Sequence, residues 1–514
     1  MHRALRHRLM SLWRRFNKDE SGIALIYVTV ALPVIIGFSL LAIDVGRLST
    51  LQSTLQHGAD ALALAGAGEL DRTPDAITRS NYAINNLITT NKSLFATTVV
   101  TINGASVPSA NRCYVQTLPA SDATAITSCL PVGTSAEIIA SSKVARYVSV
   151  KVQPLSFNTI FPVTFIGGGS NSASASASAV AGRDQASCVF TPMFMCNPLE
   201  PSGNTDVYRV SDLLAHVSSS ATMRRLIELK KHAGGSAQWS PGNFGFLQVP
   251  LGNGADALGE AIASGYPSSC LIQNTVSTKP GNTTVSKDAF NVRFDLYKGS
   301  YAKSNSNYWP AANVRKHYDW SRNPAGKITG GKTECDINEI TPLLNHTYAY
   351  GLPRDACSMT DTCTLGNGRM GAGDWNGEFT AYMNFNYPGA KPTAEDGSAF
   401  VSTNLPSRYE VYLAEIRAGL TGTPPSHAKP GCYTGAAAPA NTPDRRLLYS
   451  AILNCVAQPI GSGAATGLVP VAYGKFFITE PMGSAGASLW TELVGIEVPG
   501  TDNGIYPELV QLYR

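Results

Sequence analysis

The sequence predicts an α+β protein carried on a single N-terminal membrane-spanning helix. Residues Ile23–Ile43 (IALIYVTVALPVIIGFSLLAI) contain no charged residue. All ten cysteines lie after that stretch. Helix-like and strand-like segments then follow without regular alternation, which favours α+β over a doubly wound α/β class.

The first element is a basic stub, residues 1–20. Six of the chain's 40 Lys and Arg residues and two of its 36 Asp and Glu residues fall there, leaving 34 of each sign in the rest. The net charge of +4 is therefore local. It reads as a positive-inside topology signal and not as a nucleic-acid footprint. The expectation is a cytoplasmic N-terminus, with residues 44–514 across the membrane.

Ile23–Ile43 is about the ~20 apolar residues a spanning helix needs. In hydrocarbon the backbone must satisfy itself, so the stretch is predicted helical, with a kink expected at Pro33. A cleaved signal peptide has an apolar core of about 7–15 residues and a small-residue cleavage site. This stretch is longer and runs into IDVGRLSTLQ with no A-x-A pattern, so an uncleaved anchor is the preferred reading. A soluble core helix leaves the positive flank unexplained.

The cysteines are Cys113, Cys129, Cys188, Cys196, Cys270, Cys335, Cys357, Cys363, Cys432 and Cys455. An even number on one side of a membrane points to disulfides in an oxidising compartment. Connectivity is open; local pairs (Cys113 with Cys129, Cys188 with Cys196, Cys357 with Cys363) are the expectation. Zinc is the weaker reading, because no C-x-x-C occurs and the eight histidines are scattered.

The anchor continues into DVGRLSTLQSTLQHGADALALAGAGEL. Val45, Leu48, Leu51, Leu55, Ala59, Leu62 and Ala63 recur at spacings of three and four, one face of an amphipathic helix. Ala59, Ala61, Ala63, Ala65, Gly66 and Ala67 are small enough to admit another backbone. Asp44 and Arg47 stand one turn apart, spaced to pair or to act as separate interface anchors.

The run DESGIALIYVTVALPVIIGFSLLAIDVGRLSTLQSTLQHGADALALAGA resembles the N-terminal domain of TadE/TadG-like proteins of the tight-adherence (Flp) pilus system. Glu20, Gly22, Pro33, Ala42, Asp44, Gly46, Arg47, Ala59, Asp60, Ala61, Leu64, Ala65 and Gly66 fall on that family's pattern. The resemblance implies a pilin-like helix over residues 21–69. It further implies a bacterial inner-membrane protein whose partners are other pilus-machinery proteins with pilin-like helices, membrane lipid, and a possible second copy of itself. Gly22, Pro33, Asp44, Gly46, Arg47, Ala59, Asp60, Ala61, Ala65 and Gly66 are the expected membrane and helix-packing residues. Prepilins of this system carry Glu before the aromatic residue; Ile26 precedes Tyr27 here, so processing at Gly22 is not carried over. The D-x-S-x-S metal motif of many TadG-like chains is absent, and metal-dependent adhesion is not carried over either.

Residues 70–183 are predicted to form a β-rich domain. TTVVTI (97–102) and YVSVKV (147–152) have strand composition. SASASASAVAG reads as a flexible linker by composition and as a strand by its period of two; its place after the helix favours the strand. A boundary near Arg183 separates this region from a larger α+β domain, residues 184–514.

In the larger domain, VSDLLAHVSSSATMRRLIELKKH reads as one helix or two short ones ending at Gly234–Gly235. The basic residues Arg224, Arg225, Lys230 and Lys231 then form a solvated face, or less favourably a phosphate or lipid site. Asp256–Ser264 is a short helix. Residues 275–345 read as long polar surface loops pinned by Cys270 and Cys335. SRYEVYLAEIRAG carries a capping box from Ser407 to Glu410 and a stop at Gly419. LLYSAILNCV (447–456), KFFITEP (475–481) and LWTELVGIEV (489–498) read as buried strands.

Signatures of catalysis are weak. Gly326–Thr333 satisfies G-x-x-x-x-G-K-[ST], but polar residues precede it and no helical apolar face follows, so it fails as a phosphate loop. There is no G-x-S-x-G and no H-E-x-x-H. The loop GNGRMGAGDWNGE could offer Asp374, Asn376 and Glu378 to calcium, but it lacks a recognised ligand spacing and reads as a turn. No enzyme activity, cofactor, metal or nucleic-acid partner is expected. The expected function is a structural or assembly component of the pilus apparatus, acting by binding, with a surface-displayed adhesin or minor pilin-like subunit as the alternative.

Overall fold

The structure is a computed structural model that describes residues 21–86, 90–94, 98–119, 121–167, 169–187, 191–232, 238–248, 255–264, 271–272, 275–279, 287–315, 351–420, 428–438, 444–461, 463–483, 488–498 and 508–514. The chain divides into two compact units, residues 1–183 with 510–514, and residues 184–509.

The first unit is built on helix α1, Ser21–Gly68, whose 48 residues run through Pro33 without interruption. At 1.5 Å per residue this is a rod of about 70 Å. Its two halves differ. Between Ile26 and Val45 the large apolar side chains other than the half-buried Leu40 are exposed, Tyr27 and Phe38 at 71% and 68%. Beyond them Leu51, Leu55, Ala59, Leu62, Ala63 and Ala67 are buried, on the three-and-four spacing that makes one helical face. Helix α2 (Ala76–Asn86) packs across the end of α1.

Strands β1 (Thr90–Leu94) and β2 (Thr98–Ile102) form an antiparallel pair. Strand β3 (Arg112–Val115), helix α3 (Ser135–Ser142), strand β4 (Tyr147–Lys151), the antiparallel pair β5 (Leu155–Asn158) and β6 (Ser172–Ala175), and strand β7 (Ser178–Ser187) follow. Strand β4 lies between β3 and β7, antiparallel to both. A Cys113–Cys129 disulfide closes the segment after β3. The Ser/Ala run is strand and not linker: Ala175, Ala177 and Ala179 are buried while Ser174, Ser176 and Ser178 are exposed. The buried alanines share one core with the Ala-rich face of α1 and with Val148, Val150 and Val152. Small residues on both sides let the strand approach the helix closely.

The second unit contains a closed barrel. Strands β8 (Met193–Cys196), β9 (Ile227–Lys231) and β10 (Asn243–Phe246), followed after the two-residue strand β11 (Leu271–Ile272) by β12 (Leu447–Leu453), β13 (Ala472–Ile478) and β14 (Ser488–Glu497), supply its walls. The order is β10-β8-β12-β13-β14-β9, closing on β10. The β8–β12 and β9–β10 pairs are parallel and the others antiparallel. All seven residues of β12 are buried, which explains why only Ser450 interrupts its apolar run: both faces are covered. Leu448 and Ile452 join Met193, Leu229, Phe244 and Phe476 in one core, while Leu447 and Tyr449 join Trp375, Tyr412 and Phe477 in another.

Helices α4 (Ser211–Val217), α5 (Ser220–Met223), α6 (Ala255–Ser264), α7 (Lys287–Asn291), α8 (Ala356–Thr360), α9 (Phe379–Asn386) and α10 (Arg408–Arg417) belong to the second unit. Ser407 caps α10 through the expected box with Glu410. Arg408 is fully buried. It donates to Asp355 at 2.7 Å and Glu492 at 2.9 Å, with its guanidinium 4.8 Å from the Trp375 ring centre.

Four sequence expectations are corrected. The helix drawn through residue 231 stops at Met223, and IELKK is strand β9, because Ile227 and Leu229 alternate into the core. Arg224 and Arg225 thus share no helix face with Lys230 and Lys231. Cys196 pairs with Cys455, 259 residues away, and not with Cys188, because β8 and β12 are neighbours in the barrel. Residues 287–315 are not surface loop, since Phe290, Val292, Phe294, Trp309 and Val314 are buried. Averaged polarity across the region concealed that apolar spacing. The expected Cys357–Cys363 pair is present, and Cys432 is also disulfide-bonded. Cys188, Cys270, Cys335 and Gly326–Thr333 lie outside the described residues.

Candidate membrane-exit and helix-packing site

The expected site residues all lie on α1, and the structure separates them into three groups. Gly22 is in its first turn and Pro33 in its exposed apolar half. Asp44 and Arg47 mark the end of that half. Ala59, Asp60, Ala61, Ala65 and Gly66 lie where the helix runs over its own unit.

Asp44 and Arg47 are nearly sealed from solvent, at 5% and 8% exposed. Three residues apart on a helix they share a face, and the Arg47 guanidinium donates to Asp44 Oδ1 at 3.1 Å. The same carboxylate accepts two successive backbone amides from the segment between β5 and β6. Ile160 N lies 3.1 Å from Oδ1 and Phe161 N 2.7 Å from Oδ2. Arg47 reaches the residues just before these, at the end of β5, donating to Asn158 O at 3.1 Å and stacking 4.5 Å from the Phe157 ring centre. The pair is therefore a latch on the descending arm of the loop: the carboxylate holds Ile160 and Phe161, and the guanidinium holds Phe157 and Asn158 just before them. Gly46, between them, is open, with no atom within 4 Å of where a Cβ would stand.

The Ala-rich group is largely used inside the chain. Ala59 is fully buried. A Cβ on Gly66 would meet Ile84 Cδ1 at 2.8 Å, so glycine there admits α2. Asp60 accepts from Gln56 Nε2 at 2.8 Å, and that amide also donates to Ser178 O at 3.1 Å, tying helix to strand. Ala61 and Ala65 are half-buried. The helix end is closed by Arg183, which donates to Gly68 O at 2.5 Å, placing a cation at the negative end of the helix dipole.

Sequence reading missed three contributors. Gly58 is as tightly fitted as Gly66, since a Cβ there would lie 2.6 Å from two atoms of Ile102. Gly37 receives the Phe161 ring, 3.5 Å from where its Cβ would stand. The third is the loop FNTIFPVTFIG, which is apolar and lies in a stretch with no charged residue between Lys151 and Arg183. That absence of charge was the available signal.

In the second unit, Asp374 Oδ1 accepts from Ala356 N and Asn376 N, and its neighbours Gly373 and Trp375 donate to the buried carboxylate of Asp355. The glycine-rich loop thus wraps an ion pair, where a Cβ on Gly371 would fall 2.0 Å from Asp355 Oδ2. Among the described residues no group of three or more His, Cys, Asp or Glu is placed to hold a metal ion.

Residues 22–69 match the family model Tad, "Putative Flp pilus-assembly TadE/G-like". The matched segment coincides with α1 and ends one residue beyond it. No curated protein matches the chain, and no solved structure does. The uncovered apolar half of α1 and the family match support membrane anchoring and a part in Flp pilus assembly.

Proposed function

We propose that the protein is a structural or assembly component of a tight-adherence (Flp-type) pilus apparatus that acts by binding. Helix α1 holds it in a bacterial inner membrane, with the basic stub cytoplasmic and both folded units in the periplasm. The observation that carries this reading is the division of the family-matched helix. Its first half is apolar and uncovered, while its second half is built into the core of the first unit. A helix divided in this way presents a folded domain at a fixed height above a membrane. Partners with pilin-like helices, or a second copy, then meet it along the uncovered half, because the face that includes Ala59 and Gly66 is occupied by the chain itself. The disulfides Cys113–Cys129, Cys196–Cys455 and Cys357–Cys363 suit an oxidising compartment.

The test is pilus yield in a deletion strain, with sheared pili of the parent probed for this protein. Loss of pili, with no protein in the parent's sheared fraction, is the expected result. Normal pili in the deletion overturn the assembly role. The protein's presence in sheared pili then identifies a displayed adhesin or minor subunit, and its absence a protein outside the system.

A further inference from the structure

We infer that the loop Asn158–Gly167 is a second membrane contact, immersed beside α1 in the leaflet nearest the folded domain, with lipid acyl chains filling the groove between loop and helix. The inference rests on the reading that Ile23–Ile43 spans a bilayer.

Depth follows from geometry. Phe161 packs on Gly37, seven residues before Asp44 and so about 10 Å further into the spanning segment at 1.5 Å per residue. Ile23–Ile43 is itself about 31 Å long, matching a hydrocarbon core of ~30 Å. A bilayer crossed by that segment therefore also takes in Phe161 and its neighbours. These residues suit it: Ile160 is 53% exposed, Pro162 is exposed, and no charge occurs between Lys151 and Arg183.

Irregular backbone is tolerated at membrane depth only where its polar groups find partners within the protein. The loop's amides at Thr159, Ile160, Phe161, Thr164 and Gly167 meet that demand. Ile160 N and Phe161 N are taken by Asp44, and Pro162 has no amide hydrogen. Phe161 O accepts from Thr159 Oγ1 at 2.9 Å. Thr159 N donates to Asn171 O and Thr164 N to Asn171 Oδ1, both at 3.0 Å. Gly167 N closes a 3-10 turn onto Thr164 O. A loop facing water has no need of a carboxylate and an asparagine to collect its amides.

Between loop and helix lies a groove of about 800 Å³ lined by Pro33, Ile36, Gly37, Leu40, Phe161 and Pro162. Its lining has almost no polar surface and is continuous with the exposed apolar face of α1, which identifies the occupant as acyl chain.

The test uses the full chain, one copy per phosphatidylcholine nanodisc. An environment-sensitive fluorescent amino acid replaces Ile160, Phe38 or Val132, one at a time. Phe38 reports the span; Val132, 42% exposed in the same unit, reports solvent. Quenchers are nitroxide-labelled acyl chains and aqueous iodide. The expected result is loss of emission to the lipid nitroxide at 160 and 38, with iodide acting only at 132. Iodide quenching at 160 as strong as at 132, with 38 still lipid-quenched, overturns the loop inference and leaves the anchor standing. Failure of lipid quenching at 38 overturns the anchor itself. Protection of 160 from both quenchers means that protein covers the loop, which also refutes the inference.

Discussion

Replacing Asp44 with alanine should release the loop at the membrane exit while leaving both folded units intact. The carboxylate holds Ile160 N, Phe161 N and Arg47 at 3.1, 2.7 and 3.1 Å. Hydrogen bonds to a charged group contribute about 1.5–3 kcal/mol each. Taking only the two amides, each at the lower figure, gives about 3 kcal/mol. At 1.4 kcal/mol per tenfold this is on the order of a 100-fold rise in local opening. Asp44→Asn keeps one carbonyl oxygen and should fall between the two. The assay is amide hydrogen exchange by mass spectrometry on peptides covering 157–167, with peptides from β4 and β12 as internal references. Unchanged exchange over 157–167 in Asp44→Ala would show that the carboxylate does not hold the loop. Equal acceleration in β4 would assign Asp44 to the stability of the whole unit, which also refutes a local latch.

Gly46→Ala and Gly58→Ala are one chemical change on one helix with opposite expected signs. At Gly46 the added methyl meets nothing, and the gain in helix propensity is about 1 kcal/mol. At Gly58 it lands 2.6 Å from Ile102 atoms, and overpacking of about 1–3 kcal/mol outweighs that gain. Denaturant midpoints for the first unit should rise in one variant and fall in the other; a shared sign refutes the fit. In the second unit, burial and then the nearby Arg225 charge depress the His216 imidazole to about 4. Its unfolded value is about 6.5, so the unfolded chain binds the extra proton between these limits. Stability from the neutral form is complete above about pH 6.5 and declines as pH falls toward 4, by about 3 kcal/mol. His216→Phe should flatten that part of the profile relative to the parent; an unaltered slope between pH 6.5 and 4 refutes the assignment.

Local pattern was legible wherever one face of an element meets one environment. The three-and-four spacing through Leu51, Leu55 and Ala59, the capping box at Ser407, and the strand-like runs at 447–456 and 475–481, which fall on β12 and β13, each carry their own signal. What could not be read is what depends on pairing at long range. The barrel joins β8 to β12 and β9 to β14 across more than half of the second unit, and no local spacing encodes a register of that kind. The Cys196–Cys455 bond is a consequence of the same neighbourhood. The misread helix at 227–231 is instructive. Its lysines and glutamate favour helix by propensity, yet Ile227 and Leu229 alternate, and burial of those two in the barrel decided the outcome. At the site, Asp44 and Arg47 were legible as a pair, but the loop they hold lies more than 100 residues away and only its lack of charge marked it.

That distance bears on why a charged pair stands at the end of the span at all. Between Glu20 and Asp60, Asp44 and Arg47 are the only Asp, Glu, Lys or Arg residues. The basic stub already supplies the topology signal, and both side chains are turned away from solvent, so setting orientation is a poor account of them. A neutral acceptor such as a hydroxyl could take one amide; a carboxylate offers two oxygens and takes two successive ones. A lone carboxylate beside hydrocarbon is costly, and the guanidinium three residues on removes its net charge while finding its own acceptor at Asn158 O. The order also matters. Asp44 is the residue nearer the span and bonds Ile160 and Phe161, while Arg47 is farther and meets Phe157 and Asn158. The loop therefore descends along α1 as the helix rises, which brings Phe161 to Gly37 and not to the domain side of Asp44. A pair in the reverse order would offer donors where the loop presents its amides.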